Sequence, residues 1–356
     1  MIAFVYGTRP EAIKIGPVVA EVIDAELPYF IYCTGQHTSL LDDSPAKEDL
    51  AFAVDLELAS DGKVTRWLMQ AQALLEDRFM EDKPSLIVVQ GDTMSAYAGA
   101  AAAKSLGLPV AHIEAGIRSH DSNEPWPEET FRRGIDGMAD LHLAATDAAA
   151  NNLVTELGSD RSVRVTGNTV VAAMRRYWGG EPLATPVPQI IVTLHRRELR
   201  KQPETCRKII RSLFDVFEEE DEFDYLWPVH PAMEQFIPKM VPQNVVVHRP
   251  WDYVHMLNRL ASATGILTDS GGLVEEACTL GVPTVIFRRC NDRPEAITAG
   301  TAVQVAPSVQ SAHLAVQMLT RDELRPKRLP SFTYGTDRSA VAVANALMEV
   351  ANAGNP

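Results

Sequence analysis

The chain has 356 residues, 46% hydrophobic and 22% charged, with a formal net charge of −14. That length suits two cores rather than one, and the acidic balance argues against a nucleic-acid partner. No apolar run is long enough for a membrane span, and Met1-Ile2-Ala3-Phe4-Val5-Tyr6 leads straight into a strand, so neither an anchor nor a signal peptide is expected. Cys33, Cys206, Cys278 and Cys290 are widely spaced, with no CxxC pair and no histidine spacing that suits zinc. Isolated buried thiols in a reducing, cytoplasmic setting are expected. Any anionic ligand must then be held by a few local cations and helix ends, not by the global field.

Short β-branched or aromatic runs alternate with helical patterns along the whole chain. Strands are predicted over residues 2–6, 29–33, 85–89, 110–113, 141–144 and 163–166, and again over 190–193, 225–228, 244–247, 265–268, 284–287 and 302–305. Two such sets, interleaved with helices, imply an α/β chain with two doubly wound, Rossmann-like parallel sheets. The Gly- and Pro-rich stretch 179–188 is the natural linker between them. Neither half carries GxGxxG, which disfavours a nicotinamide or flavin site. Ligands of such sheets bind beyond the carboxyl ends of the strands, and most polar clusters fall there.

The first cluster is Gly7-Thr8-Arg9-Pro10-Glu11-Ala12-Ile13-Lys14. Gly7 permits close backbone approach, Pro10 suits a first helical turn, and Arg9 and Lys14 bring cations; a helix start with solvated charges gives the same string. Thr34-Gly35-Gln36-His37 reads as a polar loop. In Gln90-Gly91-Asp92-Thr93 the aspartate either caps the next helix or serves chemistry. Glu114, in His112-Ile113-Glu114-Ala115-Gly116-Ile117-Arg118, is a carboxylate among apolar neighbours and needs a partner or a task. Pro127 opens a helix on which Glu128 and Arg132 share a face, as a surface ion pair also would. In the second half, His195-Arg196-Arg197-Glu198 suits a diphosphate better than a core, and His230 sits at the next strand exit. Thr268-Asp269-Ser270-Gly271-Gly272 places two glycines at a strand-to-helix corner, an anion seat at the helix N-terminus, with Glu276 one turn further in to accept ribose hydroxyls. A tight turn with a Ser or Asp cap is the alternative. Arg293, in Arg288-Arg289-Cys290-Asn291-Asp292-Arg293-Pro294-Glu295, adds a cation near that seat. Residues 340–353 read as a helix.

Taken together, these motifs resemble the non-hydrolysing UDP-N-acetylglucosamine 2-epimerases nearly end to end. The likeness also takes in Thr166-Gly167-Asn168-Thr169. Hydrolysing relatives typically carry Gly-Asp-Arg and Gly-Gly-Glu where this chain has Gly91-Asp92-Thr93 and Glu114-Ala115-Gly116. The resemblance implies the fold of B-type glycosyltransferases (GT-B), with two domains facing a cleft: residues 1–170 holding the acid/base groups, 171–337 binding UDP, and a C-terminal helix, 338–356, folding back on the first. It implies inversion at C2 of UDP-N-acetylglucosamine by proton removal, loss of UDP to a 2-acetamidoglucal, and re-addition. Asp92, Glu114 and Glu128 are then the acid/base candidates, and His195 assists the diphosphate. Arg9, Lys14, Arg132, Ser270, Gly271, Gly272, Glu276 and Arg293 bind substrate. No metal or redox cofactor is required, and the family suggests a homodimer with no membrane or nucleic-acid partner.

Phe131, Leu199-Arg200 and Asn291-Asp292 depart from the family pattern. Activation by a second substrate molecule, which many bacterial members show, is expected to be lost or weakened: Gln36 and His37 remain, but Thr38-Ser39 and residues 59–63 differ. Another UDP-acetamido sugar, such as a diacetamido uronic acid, is one alternative substrate. A GT-B UDP-sugar glycosyltransferase shares the fold, but it has no evident use for three acids and Pro127-Glu128-Glu129. A catalytically dead nucleotide-sugar sensor is a third reading.

Overall fold

A computed structural model describes residues 1–35, 44–58, 63–121, 123–182 and 185–353. Gln36, His37, Thr38-Ser39, most of the 59–63 stretch and part of the linker stretch therefore lie outside the described residues. The chain divides into two compact units, Met1–Tyr177 with Tyr334–Pro356, and Trp178–Thr333.

The first unit alternates β1 (Ile2–Tyr6), α1 (Arg9–Asp24), β2 (Tyr29–Cys33), β3 (Val54–Asp55), α2 (Val64–Asp82), β4 (Leu86–Gln90), α3 (Met94–Ser105), β5 (Val110–Ala115), α4 (Glu128–Met138), β6 (Leu141–Ala144), α5 (Asp147–Leu157), β7 (Val163–Val165) and α6 (Thr169–Tyr177). Its strands form one parallel sheet in the order β3-β2-β1-β4-β5-β6-β7. β1, β4 and β5 are buried along their whole length, as strands covered by helices on both faces must be. That is why they read as continuous apolar runs. α1 begins with a capping box, Thr8 with Glu11, and a proline in its first turn.

The second unit runs β8 (Val187–Thr193), α7 (Arg197–Arg200), α8 (Pro203–Glu219), β9 (Asp224–Pro228), β10 (Val245–His248), α9 (Tyr253–Ser262), β11 (Ala263–Thr268), α10 (Gly271–Leu280), β12 (Thr284–Ile286), α11 (Pro294–Thr298), β13 (Ala302–Gln304) and α12 (Val309–Thr320). Its parallel sheet has the order β10-β9-β8-β11-β12-β13. α8 buries Ile209, Ile210, Leu213, Phe214 and Phe217 as one helical stripe. α13 (Ser339–Ala353) then returns to the first unit. Its Val343, Ala344 and Leu347 join Phe4 of β1 and Val18 and Val22 of α1 in one core.

Two expectations need correction. The first sheet has a seventh strand, β3, whose two residues are too short for any periodic signal. The stretch 179–188 is not linker throughout, because Val187 and Pro188 already belong to β8. Pro188 has no N–H to give, and it is tolerated because the β8–β11 register shifts beside it, between Ala263 and Gly265.

Candidate active site

In both sheets the strand order reverses once, between β1 and β4 and between β8 and β11. The loops at the carboxyl ends of those strands diverge and leave room for a ligand. The polar residues singled out above cluster there, one set in each unit.

In the first unit the turn after β1 is held by Glu11. Its Oε2 accepts the amides of Gly7 (3.1 Å) and Thr8 (2.8 Å) and the Thr8 hydroxyl (2.8 Å), and its Oε1 accepts the Thr93 hydroxyl at 2.6 Å. Burial pushes the Glu11 carboxyl up to about 7, against the opposing pull of these donors. A Cβ on Gly7 would lie 2.0 Å from Ser95 Oγ and 2.2 Å from Thr34 Oγ1, two buried hydroxyls bonded to each other at 2.7 Å. Only glycine fits.

Thr93, not Asp92, caps α3, its hydroxyl accepting the Ala96 amide at 3.0 Å. Asp92 is thereby available elsewhere, and its carboxylate meets the Arg132 guanidinium. Arg132 is itself buried and also faces Glu129. Glu128, the first residue of α4, is half-buried on the same helical stripe as Arg132. Arg9 opens α1 and is likewise half-buried.

Glu114 has a left-handed backbone, φ +68°, at the point where the β5–β6 register slips between Ile113 and Ala115. That conformation costs a β-region residue about 1–3 kcal/mol and marks a site worth explaining. It turns the buried carboxylate toward Lys14, 2.5 Å away, and toward the Gln90 amide, also at 2.5 Å. Asp92 and Glu114 thus leave adjacent, paired strands.

Beneath them lies Asp136 of α4. Its Oδ1 faces His112 Nδ1 at 2.6 Å, and its Oδ2 meets Arg118 (2.7 Å) and the Gly116 amide (3.2 Å). Burial alone would raise the Asp136 pKa, but His112 and Arg118 outweigh it and hold the carboxyl below the usual range. His112 Nε2 reaches the Gly91 carbonyl at 2.8 Å, so both ring nitrogens face acceptor oxygens.

In the second unit Asp269 organises the corner. Its carboxylate accepts the amides of His195 (2.8 Å) and Arg196 (2.8 Å), and lies 3.2 Å from His195 Nδ1. The His195 side chain is a third exposed; enclosure by protein on its other sides, then Arg196, Arg200 and Arg288, hold its pKa below the ordinary value against Asp269. The ring stacks on His230, with centroids 5.6 Å apart. Ser270 stands at the N-cap of α10 without a side-chain cap bond. The space over Gly271 is flanked by two guanidiniums, Arg293 and Arg196, at 3.7 and 3.8 Å from where a Cβ would stand. Arg293 is held by Glu275 and Asp292, and Glu276 is buried on α10. Helix start, glycines and cations converge on one anion seat.

The sequence reading missed several partners: Gln90, Asp136 and the inward side of His112 in the first unit, and the holding roles of Asp269 and Glu275 in the second. Asp136 had one visible signal, its i+8 spacing from Glu128 along the Arg132 stripe. An open hollow of about 650 Å³ at the start of α2, lined by Lys63, Arg66, Met69 and Gln70, holds no member of either cluster. No helix among the described residues is long and apolar enough to cross a membrane.

Comparison with known proteins shows the family and the fold. A sequence model of the family described as UDP-N-acetylglucosamine 2-epimerase matches residues 22–348. The UDP-N-acetylglucosamine 2-epimerase of Bacillus subtilis (strain 168) is 33% identical over 97% of this chain and 94% of its own. The S. aureus MnaA–UDP co-structure superposes with a TM-score of 0.89 at 29% identity, covering 99% of this chain and 96% of that one. The Neisseria meningitidis UDP-GlcNAc 2-epimerase bound to UDP-GlcNAc gives 0.87 at 28%, covering 98% and 99%. With two Rossmann-like units of GT-B type, this chain belongs to the UDP-N-acetylglucosamine 2-epimerase family.

Proposed function

We propose that the protein interconverts UDP-N-acetylglucosamine and UDP-N-acetylmannosamine without hydrolysing them. The observation that carries this reading is Glu114, a buried carboxylate turned out of its strand by a strained backbone, beside the Asp92–Arg132 pair. The C2 hydrogen of the sugar is a weak acid, and a general base supplies only about 10²–10⁴-fold. The departing diphosphate must therefore be stabilised at the same time, by donors aimed at its developing charge.

The first unit supplies the carboxylates. One of them takes the C2 proton, the C1–O bond breaks with its electron pair leaving on UDP, and C1 and C2 become doubly bonded in a 2-acetamidoglucal. UDP then adds back to C1 as a proton reaches C2 from the other face. Glu114 and Asp92 serve the two faces, and Glu128 completes the set. Lys14 pairs with the Glu114 carboxylate and fixes its position. Arg9, Lys14 and Arg132 bind the substrate. In the second unit the start of α10, with Ser270, Gly271 and Gly272, holds the diphosphate together with His195 and Arg293, and Glu276 holds the ribose. No redox cofactor or metal enters these steps. A homodimer working in the cytoplasm suits this role, and the four free cysteines suit a reducing compartment.

Incubation with UDP-N-acetylglucosamine in D₂O, without acceptor, should yield the manno isomer carrying deuterium at C2 by NMR. Asp92→Asn and Glu114→Gln should abolish exchange while UDP still binds. Normal exchange in either variant removes that residue from the mechanism. Product that forms only when a sugar acceptor is added would point to a transferase instead.

A further inference from the structure

We propose that Asp136 is a positioning residue that sets the three acid/base carboxylates relative to one another. The proposal rests on the epimerase reading above. Its starting point is the pair of oxygens on one side chain. Oδ1 faces His112 Nδ1, and through Nε2 that ring reaches the carbonyl of Gly91, the residue before Asp92. Oδ2 accepts the amide of Gly116, two residues after Glu114. A single buried carboxylate therefore ties down both turns that present Asp92 and Glu114.

The third acid is on the same element. Glu128, Arg132 and Asp136 follow one another at i, i+4 and i+8 on α4, so they lie along one stripe of that helix. Arg132 grips Asp92 directly. The helix is itself fixed at the Asp136 end, where His142 of β6 meets the main-chain carbonyl of Asp136 at 2.8 Å. Gly116 has a left-handed backbone (φ +82°) packed so close to the Ala149 carbonyl that a Cβ would lie 2.2 Å from it, and its own carbonyl accepts the Asn152 amide at 3.0 Å. Outward from Asp136 the charges alternate through Arg118, Glu156, Arg133 and Glu129 to Arg132 and back to Asp92. The inner links of this network, His112, Asp136 and Arg118, are buried, and losing one of them releases its neighbours, whereas the outer links at Glu156 and Arg133 are part-exposed and screened by solvent. A reaction that needs proton carriers on two faces of one carbon is sensitive to their placement, since an error of about 1 Å can cost on the order of a hundredfold.

Three variants test this, read by C2 deuterium exchange, by kcat and KM separately, and by UDP affinity. Asp136→Asn keeps the side-chain shape but removes the charge shared by His112 and Arg118. Its kcat should fall about a hundredfold, with KM and UDP affinity nearly unchanged. His112→Asn puts an amide where Nδ1 stands, keeping a donor for Asp136 and dropping only the bond to Gly91. It leaves no buried carboxylate unpaired, so it carries the test if Asp136→Asn does not fold. Its kcat should fall at least roughly tenfold, again with KM unchanged. Glu156→Gln takes a charge from the outer part of the same network and leaves both Asp136 ties intact. Its exchange should match the parent.

Exchange in Asp136→Asn and His112→Asn close to the parent rate overturns the proposal. So does an equal loss in Glu156→Gln, which would make the effect general loosening. A parent protein that shows no C2 exchange overturns the epimerase reading itself. A parent that exchanges beside an unaffected His112→Asn overturns the positioning role alone.

Discussion

Lys14→Met isolates the pair on which the base assignment rests. The Lys14 and Glu114 side chains are 9% and 6% exposed and 2.5 Å apart. Deleting one member of such a pair leaves the other charge buried, typically at a cost of 3–5 kcal/mol. Gln90 still donates to Glu114, so the lower end, about 3 kcal/mol, is expected for Lys14→Met. Glu114→Gln strands Lys14 but keeps an amide oxygen to receive it, and about 2 kcal/mol is expected. The double variant contains neither charge. It should lose about 3 kcal/mol rather than the sum, a coupling of about 2 kcal/mol between the positions. Hydrogen exchange of the β1, β4 and β5 amides reads the stability of the first unit by itself. C2 deuterium exchange, measured in parallel, should be lost in all three variants, including the double one whose stability recovers relative to the sum. Additivity within about 0.5 kcal/mol would show that the two charges are not energetically coupled. Normal C2 exchange in Lys14→Met would refute the role of the pair in catalysis.

Three further outcomes follow from the same geometry. Gly7→Ala must part the Thr34–Ser95 hydroxyl pair, and should destabilise the first unit by about 3 kcal/mol; most of that cost should vanish in a Thr34→Ala/Ser95→Ala background, and an unchanged cost would refute the clash. Glu11 holds its proton more tightly in the folded chain, with a carboxyl raised from 4.5 to about 7. Its contribution to stability is therefore greatest below pH 4.5 and is lost as the pH rises to about 7, by up to roughly 3 kcal/mol. Measured against Glu11→Gln by denaturation at a series of pH values, a flat difference across that window would contradict it. Arg293→Lys keeps the charge but loses the planar fork beside Gly271. UDP affinity by calorimetry should fall about tenfold, near 1.4 kcal/mol, and unchanged affinity would take Arg293 out of the anion seat.

What could be read before the structure was known divides along a physical line. Strands buried on both faces are apolar runs, so β1, β4 and β11 stand out in the sequence, and the rule that ligands gather at strand exits then locates Gly7, Asp92, Glu114, His195 and Gly271. The two residues of β3 carry no such signal. Nor do the partnerships within each cluster, because they follow sheet order and not chain order. Lys14 and Glu114 are 100 residues apart in the chain and meet because the sheet order leaves only β4 between β1 and β5. Asp269 stands in a string that reads as a helix cap, yet it folds back across the sheet to the exit of β8. Glu11 closes a capping box with Thr8 that went unread in the sequence, and its bond to Thr93 ties the turn after β1 to the turn after β4, which the pattern treats as unrelated.

The left-handed backbone of Glu114 is the clearest case. No property of a glutamate side chain asks for φ +68°, and local propensity argues against it. The strain persists because Lys14, Gln90 and the Asp136–Gly116 bond over-determine the turn. A sequence is consistent with its fold at every level except where another requirement intervenes. In this chain the sharpest local inconsistency in the first unit falls on one of the carboxylates proposed to carry the C2 proton. Weakening the hold on that turn while keeping the Glu114 charge, by taking the charge from the acceptor of the Gly116 amide in Asp136→Asn, should therefore separate the cost of the strain from the need for it: lower turnover in a protein whose first unit has lost a buried ion pair but not its fold.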